Sequence, residues 1–182
     1  MRIVALAFAC LVAVACGGST PTTPTPRPPP PPPTVRFVAE ANPSTDSIAL
    51  GMTMTTPAAF TLVLSAIEVA DLYGFAVDLT YDPAIVMFDT AEAGAFLAGE
   101  GISVSTQVTE GPPGTLVIGQ TRVGAVAGVS GGGALLTLNF KSVAAGSTTF
   151  ATATAGAVDS TGAALATQIF GGTVTVPVQT GR

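Results

Sequence analysis

The sequence predicts an all-β chain folded as a two-sheet antiparallel sandwich, on three observations. From residue 35 onward apolar residues recur at every second position in short runs, the pattern of strands with one buried face. The runs are rich in Val, Thr, Ile and Phe, which suit a pleated, half-buried surface. Clusters of Gly, Pro, Asp and Ser separate them, with no alternation of strand and helix that would build a parallel sheet.

Nine strands follow in order: 35–40, 47–55, 59–68, 73–81, 84–89, 102–109, 115–121, 133–141 and 148–157. A tenth run covers 169–178, and only 91–98 has the character of a short helix. Phe75, Val77, Leu79 and Tyr81 alternate with Ala76, Asp78, Thr80 and Asp82. Leu136, Leu138 and Phe140 alternate with Thr137, Asn139 and Lys141, and Val174, Val176 and Val178 are likewise spaced by two. Tyr81-Asp82-Pro83 stops a strand, because proline lacks a donor and aspartate favours turns. Gly111-Pro112-Pro113-Gly114 fits a hairpin connection, and Asp159-Ser160-Thr161-Gly162 is a second turn.

The start of the chain reads differently. Met1-Arg2 is positive, Ile3 to Ala15 is almost wholly apolar, and the run is too short to span a bilayer. Ala13-Val14-Ala15-Cys16-Gly17-Gly18-Ser19 resembles the lipobox of bacterial lipoproteins, with Ala13 where leucine is commoner. The resemblance implies a signal peptide over 1–15, lipidation of Cys16, and a location at the bacterial cell envelope facing the periplasm or the exterior. Residues 16–34 then form a tether. Pro21 to Pro33 holds nine of the fifteen prolines, including the unbroken run Pro28 to Pro33. Such a run favours extended polyproline II, so Gly17 to Thr34 reaches about 55 Å. A PxxP ligand for a partner domain is the other use of such a segment. The domain proper is 35–178, and 179–182 is a tail.

Composition excludes several function classes. The net charge is −5 with only six Lys and Arg, which leaves no footprint for nucleic acid and no basic cluster for anionic lipid. Membrane attachment therefore rests on the lipid alone. Cys10 and Cys16 are the only cysteines, so 35–178 contains no disulfide and depends on its apolar core. Histidine is absent, which removes the usual general base. Gly128-Val129-Ser130-Gly131-Gly132 matches the G-x-S-x-G nucleophile pattern, but without a base or a following helix it reads as a flexible glycine loop. Asp78 and Asp82 form a conceivable carboxylate pair, read here as a surface and a turn aspartate. Asp78, Asp82, Asp89 and Asp159 supply oxygen ligands of the type calcium takes, yet no EF-hand or calcium-repeat spacing is present, and no cofactor is expected. Zinc lacks both imidazole and free thiols.

The candidate partner-binding residues are Tyr73, Asp78, Ser103, Ser105, Gln107 and Thr109. Tyr73 is the more exposed of the two tyrosines, whereas Tyr81 shares the core face of Phe75. The row Ser103, Ser105, Gln107 and Thr109 is either an ordinary solvated strand face or a surface for a partner or a sugar.

Six stretches in order resemble the cohesin domain family. Leu72-Tyr73-Gly74-Phe75-Ala76-Val77-Asp78-Leu79-Thr80-Tyr81-Asp82-Pro83-Ala84-Ile85-Val86 is similar to its G-F-x-x-x-L-x-Y-D-P-x-x-L stretch, and Glu92 to Leu97 to the segment that follows. Gly132 to Lys141 and Ala144 to Phe150 are similar to its G-x-L-x-x-L-x-F-K strand and the continuation. Asp159-Ser160-Thr161-Gly162 and Gly171-Gly172-Thr173-Val174-Thr175-Val176 match the closing elements. The resemblance implies a nine-stranded antiparallel jelly-roll β-sandwich, related to one class of carbohydrate-binding module. It implies a non-enzymatic module that binds dockerin domains on other proteins, often polysaccharide-degrading enzymes. Direct polysaccharide binding and a purely structural envelope role are the alternatives. Cohesins grip dockerin with polar side chains just before the Y-D-P stretch, where this chain has Gly74 and Ala76.

Overall fold

The computed structural model describes residues 33–178. The leader 1–15, Cys16, the tether as far as residue 32 and the tail 179–182 lie outside the described residues. Twelve strand segments make two sheets. They are β1 (Arg36–Ala39), β2 (Ser47–Thr55), β3 (Ala59–Leu72), β4 (Gly74–Thr80), β5 (Val86–Ala93), β6 (Val104–Glu110), β7 (Thr115–Arg122), β8 (Val129–Ser142), β9 (Gly146–Val158), β10 (Ala164–Leu165), β11 (Gln168–Phe170) and β12 (Gly172–Val176). One sheet runs β1-β12-β9-β4-β7-β6, with β10 also paired to β9; the other runs β11-β2-β3-β8-β5. Among the described residues no helix is long and apolar enough to cross a membrane.

The period-two pattern produces the core directly. Phe60, Leu62 and Leu64 on β3 face Phe140, Leu138 and Leu136 on β8 in register. Phe75, Val77 and Leu79 on β4 and Leu116 and Ile118 on β7 come from the opposite sheet, and all eleven are at most 5 % exposed. Rings join the layers. Phe140 lies 4.9 Å from Phe150 edge-on, 5.4 Å from Tyr81 and 5.5 Å from Phe60 in a stack. Tyr81 is buried as expected, and burial, then the nearby Glu110 carboxylate, pushes its phenol up from the ordinary value.

The turns follow their chemistry. Asp82 Oδ1 accepts from the Ala84 amide at 2.9 Å and closes the Tyr81-Asp82-Pro83 bend. At the 111–114 hairpin the Gly111 amide donates to Thr115 O at 2.9 Å. Gly114 has φ +81°, and a Cβ there would strike the Tyr81 carbonyl, which leaves glycine the fitting residue.

Four expectations need correction. The run 169–178 is not one strand: it breaks at Gly171 into β11 and β12, which belong to different sheets. The crossing packs so closely on β9 that a Cβ on Gly171 would collide with the Phe150 carbonyl. β11 runs parallel to β2, Ile169 opposite Ile48, so the sandwich is not wholly antiparallel. The short helix over 91–98 does not form. Ala91, Glu92 and Ala93 instead pair with Leu138, Thr137 and Leu136 on β8, so sheet pairing overrides their helix propensity. A 3-10 turn follows only at Gly99–Gly101. The glycine stretch 128–132 is not a loose loop, since β8 begins at Val129.

Gly171→Ala should lower the urea midpoint by an amount equivalent to about 1–3 kcal/mol, the usual cost of overpacking. Gly51, where an added Cβ meets nothing within 4 Å, is the control: Gly51→Ala should leave the midpoint unchanged or raise it.

Candidate partner-binding face

The outward positions of β6, β7, β4 and β9 align in rows across the sheet. Gln107 lies opposite Gly119, Gly119 opposite Ala76, and Ala76 opposite Gly156. The next row is Ser105, Thr121, Gly74 and Val158, and the row on the other side begins Thr109, Val117, Asp78. Three of the four residues in the central row carry no side chain beyond a methyl group. The sheet face is therefore sunk there, into a trough of about 530 Å³. Ser105, Gln107 and Thr121 border it, and Gly74, Ala76, Gly119 and Gly156 contribute to its floor. Its lining is mainly apolar, with hydroxyl and amide groups at the side. Val117, 45 % exposed, stands in the adjoining row.

The alternation of β6 explains the border. Val104 and Val108 pack against the core, which turns Ser105, Gln107 and Thr109 outward. On β4, Phe75, Val77 and Leu79 are inward, so Ala76 and Asp78 are outward. The sandwich thus brings Ser105, Gln107, Thr109 and Asp78 onto one surface, the first two in the trough itself. Ser103 lies one step before β6, exposed, and accepts the Val123 amide on its carbonyl. Tyr73 is half-buried and its hydroxyl donates to Gly124 O at 2.7 Å, which fixes the ring to the backbone away from the trough. Sequence reasoning did not pick out Gly119, Thr121 or Gly156. For the two glycines a signal was present, because glycine at an outward strand position lowers the surface.

The aspartates have separate tasks. Asp71, at φ +51°, clasps three segments: Oδ1 accepts from the Gly128 amide at 2.8 Å, and Oδ2 from Ser160 Oγ at 2.8 Å. Its own amide donates to Ser130 Oγ at 3.0 Å, so the serine of the G-x-S-x-G pattern is a strand contact. Asp159 Oδ1 accepts from the Thr161 hydroxyl, the Thr161 amide and the Ala163 amide, and these bonds hold its carboxyl below the ordinary value of 3.8. Asp89 pairs with Lys141. Among the described residues no three acidic, histidine or cysteine side chains converge as a metal site.

No protein-family model matches the sequence, and no curated protein matches it either. Solved structures do match in fold. The second type II cohesin module of the adaptor ScaA scaffoldin of Acetivibrio cellulolyticus is similar at TM-score 0.62 and 12 % identity, over 74 % of this chain and 98 % of that one. The sixth cohesin of that organism's scaffoldin B, solved in complex with the Cel5 dockerin, is similar at 0.59 and 12 %, over 70 % and 95 %. A non-cellulosomal cohesin from the archaeon Archaeoglobus fulgidus is similar at 0.51 and 14 %, over 76 % and 88 %.

Asp71→Ala should destabilise the domain by about 1–3 kcal/mol in chemical unfolding, since it removes the charge-assisted hydrogen bonds from the part-buried Gly128 amide and from Ser160 Oγ. The depressed Asp159 carboxyl contributes stability that is complete above its unfolded value and is lost as pH falls through the lower folded one. Acid titration of stability should therefore be shallower below pH ~4 in Asp159→Ala than in the parent chain.

Proposed function

We propose that this chain, which carries the cohesin fold, is a non-catalytic attachment module. In this reading a lipid on Cys16 holds it at the bacterial cell envelope, the proline tether extends it from the surface, and the outer face of β9-β4-β7-β6 takes a partner protein. The trough is the observation that carries the reading. A concave, mainly apolar surface with a floor of glycine and alanine admits the ridge of a partner element, and the border of Ser105, Gln107 and Thr121 supplies directional hydrogen bonds. The dockerin seated on the scaffoldin B cohesin supports a partner of the dockerin kind. Gly74 and Ala76 leave shape, rather than polar side chains, as the basis of the grip at those positions.

A catalytic role draws no support from the side chains. Ser130 is engaged by the Asp71 amide and the chain has no histidine to activate it. Sugar stacking has no ring to use in the trough, because the aromatic residue lining it, Phe75, is 5 % exposed and part of the core.

Residues 33–182 used as bait on the envelope and secreted fractions of the native organism should recover a dockerin-bearing protein, with loss on calcium chelation. Gly119→Leu and Gly156→Leu, positions where an added Cβ meets nothing within 4 Å, should keep the parent circular dichroism and weaken that capture by about tenfold or more. Recovery of no protein, or capture unchanged in both variants, overturns the reading; retention on insoluble polysaccharide would then favour the sugar-binding alternative. Cys16→Ser should abolish incorporation of labelled fatty acid.

A further inference from the structure

β6 is the last strand of its sheet, and among the described residues no strand pairs with its outer side. The ladder to β7 shows which backbone groups face that side. Ser103 O accepts the Val123 amide at 2.9 Å, and the Gly111 amide donates to Thr115 O at 2.9 Å. Both pairs continue the unbroken register of β6 on β7, so the odd-numbered residues turn their N–H and C=O groups to β7. Val104, Thr106, Val108 and Glu110 therefore turn theirs to the edge.

Open edges invite pairing, and sheets blunt them with short strands, bulges, proline or lysine. The other edges described here carry such devices. β1 has four residues and β11 three. β5 is irregular between Phe88 and Thr90 and carries Asp89 and Glu92. β6 has seven residues in continuous register, with no proline, no lysine and a single charge, Glu110, at its end.

That edge is also complementary to itself. In an antiparallel pair of two β6 strands the even-numbered residues of one must face the even-numbered residues of the other. Centred on Gln107, the pairing uses every edge group. Val104 faces Glu110 and Thr106 faces Val108, each twice by the two-fold axis, for about eight backbone hydrogen bonds. Between these pairs Ser105 lies opposite Thr109 and Gln107 opposite Gln107, all exposed side chains able to hydrogen-bond across the junction. Glu110 meets Val104 and not its twin, which lies about 20 Å further along the strand. That separation exceeds the Debye length of about 8 Å at physiological salt.

We propose that the open edge takes a second copy of this chain, joined β6 to β6 across a two-fold axis at Gln107. Two copies then share one continuous sheet. The row Gly156, Ala76, Gly119, Gln107 runs into the same row of the second copy, so the two troughs adjoin at the axis. The pairing rests on the edge alone and needs no partner in the trough.

Residues 33–182 hold both sheets and the whole apolar core and contain no cysteine, which suits them to the test. At high micromolar concentration they should sediment as a dimer. Thr106→Pro deletes an edge donor and leaves the β7 ladder complete, so it should keep the parent circular dichroism and weaken self-association by about tenfold or more. Because Thr106 Oγ1 also accepts from Gln120 Nε2 at 3.0 Å, cysteine variants that keep Thr106 provide a second measurement. At the axis the paired Cα atoms are about 4.5 Å apart, within disulfide range, so Gln107→Cys should cross-link to itself on mild oxidation. Thr109→Cys alone should not, and should cross-link when mixed with Ser105→Cys. A monomeric parent chain, undiminished association in Thr106→Pro, or self-cross-linking of Thr109→Cys as ready as that of Gln107→Cys would each overturn the pairing. A monomer would leave the edge to a strand of another protein. These readouts involve no captured partner, so their failure is distinct from failure of the attachment reading.

Discussion

The meeting of Phe60, Phe140, Phe150 and Tyr81 between the two sheets is the contact on which the structure depends. Phe60 and Phe140 come from one sheet, Phe150 from the other, and Tyr81 from the bend after β4. Phe140 and Phe150 are no more than 1 % exposed. Edge-on and stacked pairs of this kind contribute about 0.5–1.5 kcal/mol each beyond simple burial. With no cysteine after Cys16, no covalent cross-link shares the task. The rings also set the spacing between sheets, so every strand on either side takes its depth from them.

That spacing constrains the connections. The chain passes from β11 in one sheet to β12 in the other through a single residue, Gly171, lodged against the Phe150 carbonyl. The same region is tied by Glu40, whose Oε2 accepts the Gly171 amide at 2.9 Å. The Asp71 clasp joins the start of β8 to the 159–162 turn in a comparable way. Polar groups thus lock the junctions while apolar groups fill the middle, a division that leaves the outer sheet face free of structural duty.

The core and most strands were legible in the sequence because period two survives wherever one face is wet. Phe75, Val77 and Leu79 are inward as their spacing indicates, and the Gly111-Pro112-Pro113-Gly114 hairpin joins β6 to β7 as expected. The failures share one cause, long-range contact. Nothing local tells Val174 that it lies in a different sheet from Ile169, or Ala91 that β8 will offer it a partner. Ser105 and Gln107 were visible as an outward row, but the trough beside them depends on Gly119 and Gly156, which come next to Ala76 only through the strand order.

The trough floor has a consequence for how such a module changes over time. At Gly119 and Gly156 a first side-chain atom meets no neighbour within 4 Å, and neither position supports the core. New side chains there alter the relief of the surface without disturbing the rings beneath. Under the proposed function, recognition and folding are then separable traits, carried by opposite sides of the same strands. Drift in the outer side can change its relief while selection on the inner side keeps the sandwich intact. The same independence accounts for a shared architecture among chains only 12–14 % identical.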